Sequence, residues 1–253
     1  MSESNAEKIG VTALSPGMGA TMTAHMLAFY YRDKGLSVSY TEIDHPRRLT
    51  GRIYDAVAMR KRFFGRRFID MYDEIINKKP IKGRENKEAG IDWGLITHYR
   101  EKSLLIGDAG ILADRSQRQV NIMDLGPVCT DLAALADRLI VIIDPLPSRM
   151  LGAYKKLTEL KDFADRKKDG RLCTKCVNDL SGVALKDMMW IVNGVTDAVS
   201  KRQVKKYLGV ENISWIPKLP QREIYSDEYR CRFHAENPAL YDVFKSLFDS
   251  AGM

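Results

Sequence analysis

The chain has 253 residues, of which 45% are hydrophobic, enough to fill the core of one large domain or two small ones. This composition excludes a chain that is disordered throughout. Lys and Arg number 40 against 33 Asp and Glu, and the resulting net charge of +7 favours acidic partners without identifying them. The 4 cysteines are too few for a disulfide framework in a chain of this length, so we expect a reducing compartment.

The first residues are polar, and no apolar run approaches the length that crosses a bilayer. The longest aliphatic run covers residues 139–143, whereas a membrane-spanning helix needs about 20 apolar residues. The polar start also lacks the apolar stretch of a signal peptide. We therefore expect a cytoplasmic protein.

Short apolar runs alternate with helical patterns along the chain. Residues 8–14 are typical of a buried strand, residues 21–34 of an amphipathic helix, and residues 36–43 of a second strand. Further strand-like runs follow, with helix-length segments between most of them, at residues 103–106, 120–123, 139–143, 188–192 and 213–216, before a last helix at 238–248. Repeated strand–helix–strand units predict an α/β fold with a mainly parallel sheet of about seven strands and helices on both faces.

A long charged segment interrupts this alternation after the second strand. Residues 46–79 have a mostly helical pattern, and a polar loop rich in Lys and Glu follows at residues 82–90. We interpret residues 46–90 as a basic helical insertion in a single domain that covers residues 1–253.

Basic and aromatic residues are interleaved within residues 47–67. Asp55 is the only acid in this range, and Phe63 and Phe64 lie among its arginines and lysines. Such a density of positive charge can contact nucleic acid, an anionic membrane surface or an acidic protein. The alternative is a solvated helix face whose phenylalanines enter the core.

The segment most informative about function connects the first strand with the first helix. It contains Ser15, Pro16, Gly17, Met18, Gly19, Ala20 and Thr21. In a parallel sheet this turn lies at the carboxyl edge, where glycines let backbone N–H groups surround an anion at a helix N-terminus. Met22 replaces the third glycine of a dinucleotide fingerprint, and Ala20 replaces the lysine of an ordinary P-loop. The segment predicts a phosphate cradle, with a plain strand-to-helix turn as the alternative.

Acids and amides follow the later strands in an order that resembles the MinD/ParA group of deviant Walker A ATPases. Asp44 ends a Glu42-Ile43-Asp44 segment where the group has Asp-x-Asp. Asp124 follows a strand as the Walker B aspartate does, and it fits the group's spacing better than its competitor Asp108. Asn193 is similar to the residue that contacts adenine, and Pro217 to the turn that closes the base pocket. Within the group, the chain looks closest to the CpaE/TadZ pilus-assembly branch, whose P-loops often carry Ala or Ser in place of lysine.

This resemblance implies a P-loop NTPase fold with ATP and Mg²⁺ as cofactors. The implied nucleotide contacts are Gly17, Met18, Gly19, Ala20, Thr21, Met22, Asn193 and Pro217. Thr21 and Asp124 would hold the metal, while Asp44 would orient the attacking water. Ser15 and Ala20 stand where the group has lysines that act on the phosphates, so we expect nucleotide binding with slow or absent hydrolysis.

The resemblance also implies a homodimer that acts as a localisation or assembly factor, with protein partners in a pilus or secretion system. Two other functions stay open. One is a DNA-partitioning or DNA-tethered protein, which residues 47–67 would serve. The other is an active ATP-dependent enzyme of the superfamily.

Two short motifs have the spacing of metal ligands. They are Cys173 with Cys176, and Cys231 with His234. The predicted topology places the first pair at the amino edge of the sheet and the second at the carboxyl edge. A shared metal site is therefore disfavoured, and two independent thiol-containing pairs are the simpler expectation.

Overall fold

One sheet organises the fold in a computed structural model that describes residues 7–42, 86–94, 118–127, 130–168 and 187–253. Within those ranges the strands are β1 (Glu7–Ala13), β2 (Val38–Glu42), β3 (Asn86–Glu88), β4 (Ile91–Gly94), β5 (Val120–Pro127), β6 (Arg138–Ile143), β7 (Asp187–Val195) and β8 (Ile213–Pro217). Their spatial order is β3-β4-β2-β5-β1-β6-β7-β8, and only β3 and β4 pair antiparallel. The predicted α/β fold with a mainly parallel sheet is confirmed, with 8 strands in the described ranges.

Helices alternate with the strands because parallel neighbours need a crossover connection. The described helices are α1 (Ala20–Asp33), α2 (Thr130–Ala133), α3 (Pro147–Lys168), α4 (Lys201–Leu208), α5 (Gln221–Tyr229) and α6 (Pro238–Ser250), with a 3₁₀ turn at His234–Glu236. No helix in these ranges combines the length and hydrophobicity needed to cross a bilayer.

The first helix lies in the core rather than on the surface. Every residue of α1 from Ala20 to Tyr31 is buried. A helix that is apolar on nearly all sides is stable only when neighbours cover all of those sides. The strand β1, which leads into α1, lies between β5 and β6. The turn between β1 and α1 is therefore held at the centre of the sheet.

The last helix packs on the domain, as its spacing of apolar residues predicts. Leu240, Phe244, Leu247 and Phe248 of α6 are buried. The Tyr30 ring of α1 lies 5.2 Å from the Phe248 ring, and the Tyr30 hydroxyl donates to Asp249 Oδ1 at 2.8 Å. Burial, and then the Asp249 carboxylate, raise the pKa of Tyr30 to about 12.

The edge of the sheet differs from the sequence prediction. A polar loop over residues 82–90 is wrong for Asn86–Glu88, which forms the strand β3. Charged side chains such as Lys87 are typical of an edge strand and resemble a loop in sequence. The turn into β4 places Ala89 and Gly90 in left-handed conformations with φ of 51° and 77°.

Several sequence predictions lie outside the described residues. They are the helical segment at 46–79, the strand at 103–106 and the arginine-rich residues 47–67, together with Asp44, Asp108, Cys173 and Cys176. The interpretation of residues 46–90 as an insertion in a single domain stays a prediction.

Candidate functional site

The turn between β1 and α1 has the backbone geometry of an anion site. Gly17 and Gly19 have φ of 78° and 95°, a left-handed conformation that glycine adopts without steric cost. Gly19 is the residue immediately before α1, and Thr23 Oγ1 donates to its carbonyl at 2.9 Å. The first N–H groups of a helix have no intrahelical acceptor and attract negative charge. The turn therefore ends at a buried helix N-terminus.

The end of β7 packs directly against this turn. Asn193 Nδ2 donates to the Met18 carbonyl oxygen at 2.8 Å. A Cβ atom on Gly19 would lie 2.5 Å from Asn193 Nδ2, closer than real Cβ contacts. Glycine is thus required at position 19 both for its φ and for the approach of Asn193. The structure brings together two sequence-predicted site regions that are far apart in the chain.

A cavity of about 420 Å³ opens beside the turn. Every predicted nucleotide contact from Gly17 to Met22 lines it, and so does Asn193. Pro217 ends β8 but does not line the cavity, whereas Lys218 and Leu219 directly after it do. The remaining wall includes Gln221 and Ile224 of α5. The volume lies within the roughly 300–1,000 Å³ of small-molecule sites.

Asp124 lies on β5, beside β1, and is 1% exposed. Thr21 Oγ1 donates to Asp124 Oδ2 at 2.5 Å, and the Gly126 N–H donates to Oδ1 at 3.0 Å. The Tyr40 hydroxyl of β2 approaches Oδ2 at 3.4 Å. A hydroxyl beside a carboxylate is an oxygen donor set of the kind that Mg²⁺ prefers. The predicted metal ligands Thr21 and Asp124 are therefore adjacent, and their chemistry fits the ion.

The end of β2 approaches the same edge of the sheet. Glu42 stands opposite Asp124 in the β2–β5 register and is 4% exposed. Asp44, the predicted water-orienting residue, lies outside the described residues, as does the competing Asp108. The structure thus places Asp124 and Thr21 together, while the role of Asp44 stays a prediction.

The second motif with the spacing of metal ligands, Cys231 with His234, lies just after α5, and its histidine contacts two acidic residues of that helix. His234 is 4% exposed, with Nδ1 at 3.5 Å from Asp227 Oδ2 and Nε2 at 3.8 Å from Glu228 Oε1. Cys231 is partly buried with φ of 51°. Across the ranges that the structure describes, no three His, Cys, Asp or Glu side chains are grouped so that they could hold a metal ion.

Replacing Gly19 by alanine should lower the free energy of unfolding by about 2–3 kcal/mol, because a left-handed φ costs roughly 1–2 kcal/mol and the displaced Asn193 loses its hydrogen bond. The control is Gly17→Ala, which has a similar φ but no atom within 4 Å of the new Cβ. This variant should lose only the conformational part, about 1–2 kcal/mol. Denaturant unfolding measures both, and equal losses would show that the contact with Asn193 is unimportant.

Comparison with known proteins gives structural but no sequence matches. No protein-family model and no curated protein matches the chain. The MinC:MinD cell division protein complex of Aquifex aeolicus has a TM-score of 0.71 at 14% identity, covering 98% of this chain and 96% of that one. A ParA family ATPase of Chlorobium tepidum has a TM-score of 0.60 at 12% identity, covering 96% and 97%.

A third similar structure is a putative plasmid partition protein of Borrelia burgdorferi bound to AMPPNP. Its TM-score is 0.68 at 13% identity, and the match covers 97% of this chain and 99% of that one. Structural similarity at such low sequence identity shows a common fold and does not show a common activity. The chain therefore has the fold of the MinD and ParA structures.

Proposed function

We propose that this protein binds ATP or ADP with Mg²⁺ at the turn between β1 and α1, and hydrolyses ATP slowly or not at all. The observation that carries the proposal is the close approach of Asn193 to Gly19 beside the cavity. Left-handed glycines and a helix N-terminus direct backbone N–H groups toward an anion. The AMPPNP bound to the Borrelia burgdorferi protein of similar fold supports a nucleotide as that anion.

The ends of β7 and β8 are proposed to hold the base. Asn193 is paired with Ile216 in the β7–β8 register, one residue before Pro217. The Asn193 amide nitrogen donates to Met18, which leaves its carbonyl oxygen to accept from an exocyclic amino group such as that of adenine. Pro217 would then act by fixing the end of β8 rather than by lining the cavity.

Thr21 and Asp124 are proposed to hold Mg²⁺. When bound, this ion would neutralise phosphate charge, and the protein needs to supply only one or two oxygen ligands because Mg²⁺ keeps several waters. Thr21 lines the cavity and Asp124 does not, but the Thr21 hydroxyl donates to the Asp124 carboxylate. Asp44 would orient the attacking water, as the resemblance implies.

Slow hydrolysis follows from the residues at positions 15 and 20. Neither Ser15 nor Ala20 can place a positive charge on the transferring phosphoryl group, and such charges account for much of the catalysis in phosphoryl transfer. Backbone N–H groups can still bind the ground state. We therefore expect nucleotide binding to be retained while ATP hydrolysis is slow or absent.

We further propose that the protein works as a homodimeric localisation or assembly factor with a protein partner, as in a pilus or secretion system. The likeness in fold to MinD, solved in complex with MinC, supports a role through protein partners. The alternative is a DNA-partitioning or DNA-tethered protein. Its support is the likeness to the plasmid partition protein together with the arginines of residues 47–67.

Titration calorimetry with ATP and ADP tests the site. We expect binding in the micromolar to millimolar range that Mg²⁺ tightens in the wild type but not in Thr21→Val, which loses the hydroxyl ligand. The control is Thr158→Val on the exposed face of α3, where the hydroxyl donates within its own helix to the Tyr154 carbonyl. Absence of binding at millimolar nucleotide would leave the fold as a degenerate scaffold.

A further inference from the structure

The turn between β1 and α1, which is the proposed phosphate-binding turn, contains no positively charged side chain. Ser15 and Ala20 are neutral, and the buried Asp124 carboxylate lies directly behind Thr21. A nucleoside diphosphate or triphosphate brings several negative charges into this region. Backbone dipoles stabilise them in part, but a full positive charge nearby contributes more. The cavity should therefore offer a cation from elsewhere in the fold.

Lys218 is the only Lys, Arg or His among the cavity-lining residues in the described part of the chain. Its backbone N–H donates to the Val195 carbonyl at 2.8 Å, which anchors it to the end of β7. That same strand end carries Asn193, which bonds to Met18 in the turn. The backbone of Lys218 is thus anchored to the end of β7, the strand whose Asn193 contacts the phosphate-binding turn.

The side chain of Lys218 is also available for a ligand. Lys218 is exposed, and it forms no ion pair with any carboxylate of the described residues. Lysine carries a compact charge on a flexible four-carbon stem, and it binds phosphate as a point charge without strict geometry. Its ammonium can therefore follow a ligand that enters the cavity.

We infer that Lys218 provides the positive charge that holds the phosphates of the bound nucleotide, in place of the lysines absent from positions 15 and 20. This inference rests on the proposed nucleotide site and adds its electrostatic anchor. It explains how a turn without lysine retains a polyanion. The inferred charge comes from the loop after β8 and not from the turn, where the missing lysines would act on the transferring phosphoryl group. Lys218 would therefore support nucleotide binding without restoring fast hydrolysis.

Calorimetry of ADP and adenosine, both without Mg²⁺, tests the assignment. Lys218→Gln should weaken ADP binding about tenfold to a hundredfold, the value of a hydrogen bond to a charged group, and leave adenosine binding unchanged. Lys218→Arg should stay close to the wild type because it keeps the charge. The matched control is Lys245→Gln, which removes the same charge from the exposed face of α6. Thermal unfolding verifies that each variant is folded.

Two further measurements sharpen the result. Adding Ala20→Lys to Lys218→Gln should restore ADP affinity, since it returns a positive charge to the same cavity. If adenosine binds too weakly to detect, the salt dependence of ADP affinity tests the role of Lys218 instead. ADP affinity should then fall less with added salt in Lys218→Gln than in the wild type, because one charge–charge attraction is missing.

The outcomes separate this inference from the proposed function. ADP binding that Lys218→Gln leaves unchanged, with an unchanged salt dependence, overturns the role of Lys218 and leaves the nucleotide site standing. An equal loss for ADP and adenosine assigns Lys218 to the base or ribose and also overturns it. A wild-type protein that binds no ADP removes both proposals.

Discussion

Replacing Trp93 by alanine should lower the free energy of unfolding by about 3–5 kcal/mol, the range for deleting a buried aromatic side chain. Trp93 of β4 is 0% exposed. Its ring stacks on Phe233 with centroids 4.9 Å apart and 10° between planes, and its Nε1 donates to the Glu88 carbonyl at 2.9 Å. The His25 ring of α1 packs edge-on at 5.6 Å. The substitution therefore opens a large cavity where several elements meet.

This aromatic cluster also supports the site. The Tyr40 ring lies 5.2 Å from Trp93, and the Tyr40 hydroxyl is 3.4 Å from Asp124 Oδ2. The control is Trp215→Ala on the edge strand β8, where the ring is partly buried and Lys201 Nζ lies 5.4 Å from its centroid. We expect the free energy of unfolding to fall by only about 1 kcal/mol there, because the Trp215 ring is only partly buried.

Guanidinium denaturation measures both variants, and Trp93→Phe, which keeps part of the stacking, should fall between Trp93→Ala and the wild type. This intermediate variant keeps the test valid if Trp93→Ala does not fold. Similar losses for Trp93→Ala and Trp215→Ala would contradict the central place of this cluster.

Substituting lysine for Ala20 should raise the rate of ATP hydrolysis about a hundredfold or more, the usual effect of one electrostatic donor aimed at charge that develops in a transition state. Ala20 is the first residue of α1, and it lines the cavity at 5% exposure. A lysine there would extend its ammonium toward bound phosphates. Phosphate release at saturating ATP and Mg²⁺ measures the change.

The control for this gain is Ala20→Lys combined with Thr21→Val, which removes the proposed metal ligand and should lose most of the added rate. The contrary result would be fast turnover by the wild type that is abolished by an arginine substitution within residues 47–67. An arginine would then replace the missing lysine, and the slow-ATPase interpretation would give way to an active enzyme.

Local periodicity predicts the central elements of this fold well. The first helix is expected at residues 21–34 and observed at Ala20–Asp33, because its apolar residues and Gly35 determine both its path and its end. The edge hairpin is different. β4 is only 4 residues long, and β3 depends on pairing with it, so neither has a period that a sequence pattern can reveal.

The candidate site also contains residues that the sequence predicts and residues that it does not. Glycines between a strand and a helix predict the turn, and the acid after a strand predicts Asp124. Tyr40 and Lys218 escape prediction for different reasons. Tyr40 resembles any aromatic core residue of a strand, and Lys218 resembles a solvated loop lysine. Their places beside Asp124 and in the cavity result from tertiary packing between distant segments, which no local pattern contains.

The most direct test of the central claim is a single-turnover experiment, with protein in excess over labelled ATP in the presence of Mg²⁺. The bound nucleotide is separated at increasing times and its ATP and ADP fractions are measured. We predict that the protein retains the label and that the ATP stays largely intact over minutes. Label that is not retained, or ATP that is converted at the roughly 1–100 s⁻¹ typical of kinases, would contradict the account.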